Sequence, residues 1–188
     1  NAAIANIPNI DMDAAKASTL VAEAKFFRAW NYFFLVKLFG DVPFYTEPSS
    51  VENLMLERTA KATIYTQIEA DLKDAVANLP AKTFGENGHR ATKYAAAMIL
   101  ADVYFYQGKN ADAASAIKTV LSSEHALTAH KTAITAANYE ETKLESAWNQ
   151  LRTTDDLAET IYAYEYDGSV SKASRWSPMA FDSSILSF

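Results

Sequence analysis

Residues 23–48 read EAKFFRAWNYFFLVKLFGDVPFYTEP, a dense run of large apolar side chains that halts at Gly40 and continues as Asp41-Val42-Pro43-Phe44. At the helical spacing of about 100° per residue, Phe27, Phe34 and Leu38 fall on one side and Phe26, Phe33 and Val36 on another. Apolar surface thus covers nearly the whole circumference. A helix of that kind is either a membrane span or a core helix. Arg28, Asn31 and Lys37 interrupt the run before it reaches the ~18 uncharged residues of a span. The stretch therefore predicts a core helix with partners on both sides.

The rest of the composition suits a single globular domain. The chain has 188 residues, of which 49% are hydrophobic and 21% charged, which is ordinary for a protein that buries a core. Its formal net charge is −6, and no basic run carries interleaved aromatics. A nucleic-acid partner is disfavoured, because phosphates demand clustered Lys and Arg. With no cysteine, disulfides and thiolate metal sites are both excluded, and the redox compartment stays open.

Periodicity divides the chain into helices. The first starts at Asp13 or Ser18, either of which can cap it, and ends at Gly40. The two prolines of residues 41–50 make that segment an extended connection. A second helix follows Thr59 or Thr63, with Ile64, Ile68, Leu72, Ala75 and Leu79 as its apolar stripe, and Pro80 ends it. Residues 82–90 form a polar loop. Thr92 caps a third helix that Gly108 terminates, and Asn110 caps a fourth. Leu100, Tyr104, Gly108 and Ala114 stand near the positions that tetratricopeptide hairpins reserve for packing knobs, turn and small residue.

The predicted fold is mainly α, with tetratricopeptide-like hairpins pairing 13–39 with 60–79 and 92–107 with 110–123. Phe27, Phe34, Leu38, Ile68, Leu72, Leu100, Tyr104 and Ile117 are its expected buried residues. Residues 1–130 make up the helical core, with the GDVP connection inserted. Residues 131–188 form a mixed segment of the same domain. Within that segment, 138–151 reads as a further helix marked by Tyr139, Leu144 and Trp148. Residues 159–167 alternate as a strand, with Tyr162, Tyr164 and Tyr166 on one face and Ile161 and Ala163 on the other. A Ser-rich loop carrying Arg175-Trp176 follows.

Few residues suggest chemistry. Glu23 and Arg28 lie about 140° apart on a helix, so each must find a partner on a neighbouring element. Asp41 is expected to hydrogen-bond its own turn, and the GDVP stretch lacks the glycine spacing and Lys of a phosphate cradle. His89, His125 and His130 have no metal-ligand spacing. Glu140-Glu141 and Asp155-Asp156 splay apart as sequence neighbours, and no G-x-S-x-G elbow occurs. The sequence points to no catalytic residue, metal or cofactor.

Aromatic residues are the stronger signal. Sugars present flat C–H faces ringed by hydroxyls, so their sites combine an exposed aromatic plate with polar donors. Trp176, Arg175 and the neighbouring serines have that composition, although a loop tryptophan can also tuck into its own domain. Tyr166 borders the loop but fits strand packing. Tyr45, just past the Pro43 turn, fits either packing or a ligand contact. Trp30 and Trp148 are expected in the core.

Glu23, Ala24, Phe26, Arg28 and Ala29, then Leu38 to Pro43, then Thr46-Glu47-Pro48 follow the pattern E-A-x-F-x-R-A, L-F-G-D-V-P and T-E-P. That combination resembles the SusD/RagB family, glycan-capturing surface lipoproteins of Bacteroidota. Glu159 to Asp167 is similar to the E-x-I-x-x-x-x-Y-D stretch that follows the helical hairpins there. The resemblance implies a fragment of a longer protein and non-catalytic binding of an oligosaccharide or polysaccharide. It implies delivery to a SusC-like TonB-dependent transporter that packs against the helical layer. It also implies a lipid anchor, outside this sequence, on the outer face of the outer membrane. Two rival readings are a tetratricopeptide-like scaffold for a protein partner and a helical glycan hydrolase. The candidate sugar contacts are Trp176, Arg175, Tyr166 and Tyr45.

Overall fold

Asp13 begins the long helix as predicted: its carboxylate accepts a hydrogen bond from the Lys16 N–H at 2.9 Å. The computed structural model describes residues 1–48, 50, 56–129, 135, 137–139, 146–154 and 157–163. A short helix α1 (Ala2–Asn6) and a 3-10 turn (Ile7–Asn9) precede α2 (Ala14–Phe39). Gly40 closes α2 at φ 69°, its N–H donating to the Val36 carbonyl at 3.0 Å. Only a residue without Cβ takes that conformation at little cost.

The chain then runs through β1 (Val42–Pro43) and returns through β2 (Arg58–Thr59), which pair antiparallel as Val42↔Thr59 and Pro43↔Arg58. Three further helices follow: α3 (Lys61–Asn78), α4 (Lys93–Tyr106) and α5 (Asn110–Leu121). A last described helix is α6 (Ala147–Thr153). Packing runs in chain order, α3 against both α2 and α4, and α4 against α5, as stacked helical hairpins require.

Two local expectations are corrected. The second helix does begin just after Thr59, one of its two expected starts, but the Asp41 carboxylate reaches across to accept from its Lys61 N–H at 2.8 Å. Asp41 therefore serves the next helix rather than its own turn. Lys109, not Asn110, is the residue before α5. Thr92 does cap α4, accepting from the Ala95 N–H at 3.2 Å. Gly108 (φ 74°) makes the α4–α5 turn, where the Lys109 N–H bonds back to the Tyr104 carbonyl at 2.9 Å.

The core is one cluster. Ala22, Phe26, Ala29, Phe33 and Val36 of α2 meet Ile64, Ile68, Leu72 and Ala75 of α3, and Ala95, Ala96, Leu100, Val103 and Tyr104 of α4. Ile68, Leu72, Leu100 and Tyr104 are buried as expected. Phe27, Phe34 and Leu38 are not: Phe34 is 59% and Leu38 60% exposed, whereas Phe33 is 3% exposed. The core that α2 shares with α3 and α4 lies on the face of Ala22, Phe26, Ala29, Phe33 and Val36, and the arc of Phe27, Phe34 and Leu38 falls outside it. Ile117 is half-buried on the rim of an apolar groove between α4 and α5. In that hairpin Ala113 and Ala116 pack on the core, while Ala114 is exposed.

The second half departs further. Trp148 is 62% exposed on α6, because that short helix docks through buried Gln150, whose amide donates to the Ala129 carbonyl at 2.9 Å. Tyr139 is also exposed, and Leu144 lies outside the described residues. Residues 159–163 do not form the expected strand. Thr160 closes a turn onto Leu157 at 2.8 Å, and the consecutive residues Ile161 and Tyr162 both pack on the helical core. A pleated strand would send them to opposite faces. The remainder of that predicted strand, 164–167, lies outside the described residues.

Candidate functional site

Of the four sequence-predicted sugar contacts, the structure describes Tyr45, while Trp176, Arg175 and Tyr166 lie outside the described residues. Tyr45 stands on the strap that leaves β1, and its residue is 38% exposed. Its backbone is bound at several points. The Tyr45 N–H donates to the Tyr32 hydroxyl at 3.2 Å, and that hydroxyl donates to the Tyr45 carbonyl at 3.3 Å. The Asn1 side-chain amide donates to the same carbonyl at 3.1 Å.

The next residue is held too. One Arg28 nitrogen donates to the Thr46 carbonyl and to the Asn1 side-chain oxygen, both at 3.1 Å. The other two guanidinium nitrogens that bond there grip Asp71 of α3, each at 2.7 Å. Both side chains of this pair are nearly buried, at 9% and 3% exposure. Gln67 also donates to Asp71, at 2.9 Å. A buried charge pair is tolerable only when its remaining donors and acceptors are satisfied, and here they are.

Tyr32 lies on the same helix as Arg28, with its ring edge-on to Phe44 at 4.9 Å between centroids. Burial raises its hydroxyl pKa above the usual 10.0, only partly offset by the hydrogen bond with the Tyr45 backbone. The group thus stays protonated at neutral pH and can both donate and accept. The arrangement ties down the backbone of one partly exposed aromatic residue and its neighbour through the side chains of Tyr32, Asn1 and Arg28.

Sequence reasoning named Tyr45 as a candidate and foresaw that Arg28 needs a partner on another element, but it gave no sign that Tyr32 and Asn1 hold the Tyr45 backbone. Tyr32 looks like one more aromatic in an aromatic helix, and only the fold of the 41–48 connection brings it onto Tyr45. Glu23 likewise finds its partner far along the chain, in a forked ion pair with Arg90.

The other hollows differ in character. A recess of about 270 Å³ between α2, α4 and the 161–162 segment is walled by Phe26, Trp30, Met98, Ile99 and Tyr162. Trp30 is partly buried there, edge-on to Tyr162 at 5.1 Å. Tyr162 also meets Phe84, a buried residue of the polar loop that the sequence reading passed over. The groove between α4 and α5, about 440 Å³, is apolar apart from Asp102. Neither has the donors a sugar requires. Among the described residues no cluster of three or more His, Asp or Glu could hold a metal, and no helix is long and apolar enough to cross a membrane.

Comparison with known proteins gives this geometry a context. The SusD-like family described as "Starch-binding associating with outer membrane" matches residues 1–105. The SusD-like protein P25 of Formosa agariphila is 36% identical over 110 residues, covering 57% of this chain and 21% of the relative. The SusD-like protein P2 of the same organism is 30% identical over 178 residues, covering 92% of this chain and 32% of the relative. A solved laminarin-binding SusD-like protein superposes with a TM-score of 0.65 at 30% identity, covering 85% of this chain and 33% of that one. The chain thus spans between a fifth and a third of the length of these relatives. On the family match over more than half its length, the chain belongs to the SusD-like family.

Proposed function

We propose that this chain is part of a cell-surface glycan-binding protein that captures an oligosaccharide or polysaccharide without cleaving it. Family membership over the helical core carries the reading. The similarity to a laminarin-binding relative supports a glucan as ligand. In this reading Tyr45 is one aromatic contact and Trp176, Arg175 and Tyr166 supply others. The ligand passes to a SusC-like TonB-dependent transporter, and a lipid anchor holds the protein at the outer face of the outer membrane. The apolar arc of Phe27, Phe34 and Leu38 on α2 favours a protein contact on the helical side. That same arc is the observation that speaks for the second reading, a scaffold that binds protein alone.

The test uses the protein expressed from its complete reading frame, run through native gels containing laminarin or starch. Retardation in at least one gel is expected, with Trp176→Ala and Tyr45→Ala each reducing it and the helical circular-dichroism signal unchanged. Unretarded migration in both gels would favour the scaffold reading. Chromatographic detection of shortened sugars would overturn the non-catalytic one.

A further inference from the structure

A third hollow, of about 310 Å³, lies between the first half of α2 and the loop that leads into α4. That volume falls within the range of small-molecule sites, about 300–1,000 Å³. Leu20 and Leu79 give the hollow apolar lining, and Lys16, Glu23, Asn87 and Arg90 give it polar atoms. Protein contacts set those atoms in place. Gly88 (φ 62°) and His89 (φ 59°) are consecutive left-handed residues, a conformation that costs a non-glycine residue free energy. The His89 N–H donates to the Phe84 carbonyl at 3.0 Å, and its ring stacks on buried Phe84 at 5.1 Å between centroids. The reversal delivers Arg90 to α2, where its Nε donates to Glu23 at 3.1 Å and its Nη2 completes a fork on the same carboxylate. The Asn87 amide donates to the Arg90 and Ala91 carbonyls at 3.3 and 2.9 Å, so two acceptors settle which end of it is nitrogen.

Each of these groups keeps hydrogen-bonding capacity. Arg90 Nη1 and Asn87 Oδ1 meet no partner among the described residues, and each Glu23 oxygen has a second lone pair. The Arg90 side chain is 53% exposed, so a ligand can reach it. Lys16 forms no ion pair among the described residues, although it stands in the first turn of α2, where the helix dipole disfavours a cation. A simple anion would use the donors alone, and the Glu23 carboxylate would repel it. Hydroxyl groups donate and accept at once, so they can satisfy all four side chains, and hydrogen bonds to charged partners are the stronger kind. We propose that this recess is a sugar subsite for one neutral hexose unit. Its hydroxyls donate to Glu23 and to Asn87 Oδ1 and accept from Lys16 and Arg90 Nη1, while Leu20 and Leu79 meet its C–H groups. The proposal rests on the glycan-binding reading above, and none of the residues that hold the Tyr45 backbone lines the recess.

The test compares wild type with Lys16→Met and Lys16→Arg, all from the complete reading frame. The probes are laminarin oligosaccharides, maltooligosaccharides and sodium sulfate. Lys16→Met keeps an unbranched side chain and removes the ammonium donors. It is expected to bind the preferred oligosaccharide roughly 3- to 10-fold more weakly, the size of one lost hydrogen bond to a charged group, with no fall in thermal midpoint. Lys16→Arg, which restores a charged donor, is expected to recover most of that loss. In wild type the same oligosaccharide is expected to slow amide hydrogen exchange across residues 87–91. Sugar binding by Lys16→Met at wild-type strength would overturn the subsite and leave the glycan reading standing. Slowing of exchange at 87–91 by sulfate but not by sugar would make the recess an anion site and overturn the sugar assignment. A wild type that binds neither oligosaccharide would overturn the glycan reading itself, and the proposal falls with that.

Discussion

Adjacent phenylalanines separate the two faces of α2: Phe33 is 3% exposed among α3 and α4 side chains, whereas Phe34 is 59% exposed. Phe33→Ala is therefore expected to cost about 3–5 kcal/mol through the cavity it leaves. Phe34→Ala should stay within about 0.5 kcal/mol, as surface changes do. Urea unfolding of the two variants checks this, and equal losses would contradict the one-sided packing. Hydrophobic periodicity could not separate these residues, because both belong to apolar stripes of the same helix. What distinguishes them is where α3 lies. Arg28 was more legible: a charge in an apolar helix must be paired, so a partner on another element was implied, although its identity as Asp71 was not. Tyr32 gave no sign of its bonds to the Tyr45 backbone, since they depend on a strap folding back onto the helix.

Helix boundaries were readable to within a residue or two because Asp13, Gly40, Thr92 and Gly108 act locally. Capping from a distance was not. Asp41 lies 20 positions before the amide it caps, so Asp41→Ala should lower stability by about 1 kcal/mol, as loss of an N-cap does, while leaving the Gly40 turn in place. Loss of the turn with no effect on α3 would contradict the assignment. A second link joins α3 to the α4–α5 turn. Burial pushes the Glu69 carboxyl up, but hydrogen bonds from Lys109 and Gln107 and the charges of Lys109 and Lys73 together outweigh it, so its pKa falls below the usual 4.5. A carboxyl lowered on folding contributes stability that is present above its unfolded value and lost as pH falls through the folded one. Glu69→Gln should thus be less stable than wild type at pH 7, with the gap closing below about pH 4.5. A pH-independent gap in thermal midpoints would contradict the network. Over its described residues, 159–163, the predicted strand failed at this scale, because alternating residue types cannot show that Ile161 and Tyr162 both turn toward the helices.

For the whole molecule, the apolar girth of α2 was the most informative sequence feature, and the structure answers half of it. One face builds the core. The other, with Phe27, Phe34 and Leu38, remains apolar and exposed in a chain that spans a third or less of its relatives' length. Mainly helical architecture was legible from apolar periodicity and local caps, and family membership from the motifs between Glu23 and Pro48, which lie within the matched residues 1–105. Ligand contacts are not legible in the same way, since a sugar site is assembled from loops whose spacing follows the glycan rather than the fold. The central claim is glycan capture without turnover, and calorimetric titration of the protein from its complete reading frame with laminarin oligosaccharides and maltooligosaccharides tests it most directly. The account predicts saturable heat for at least one of the two, weakened in Tyr45→Ala, with the sugar recovered at its original length. No heat from either sugar, or recovery of shortened chains, would contradict it.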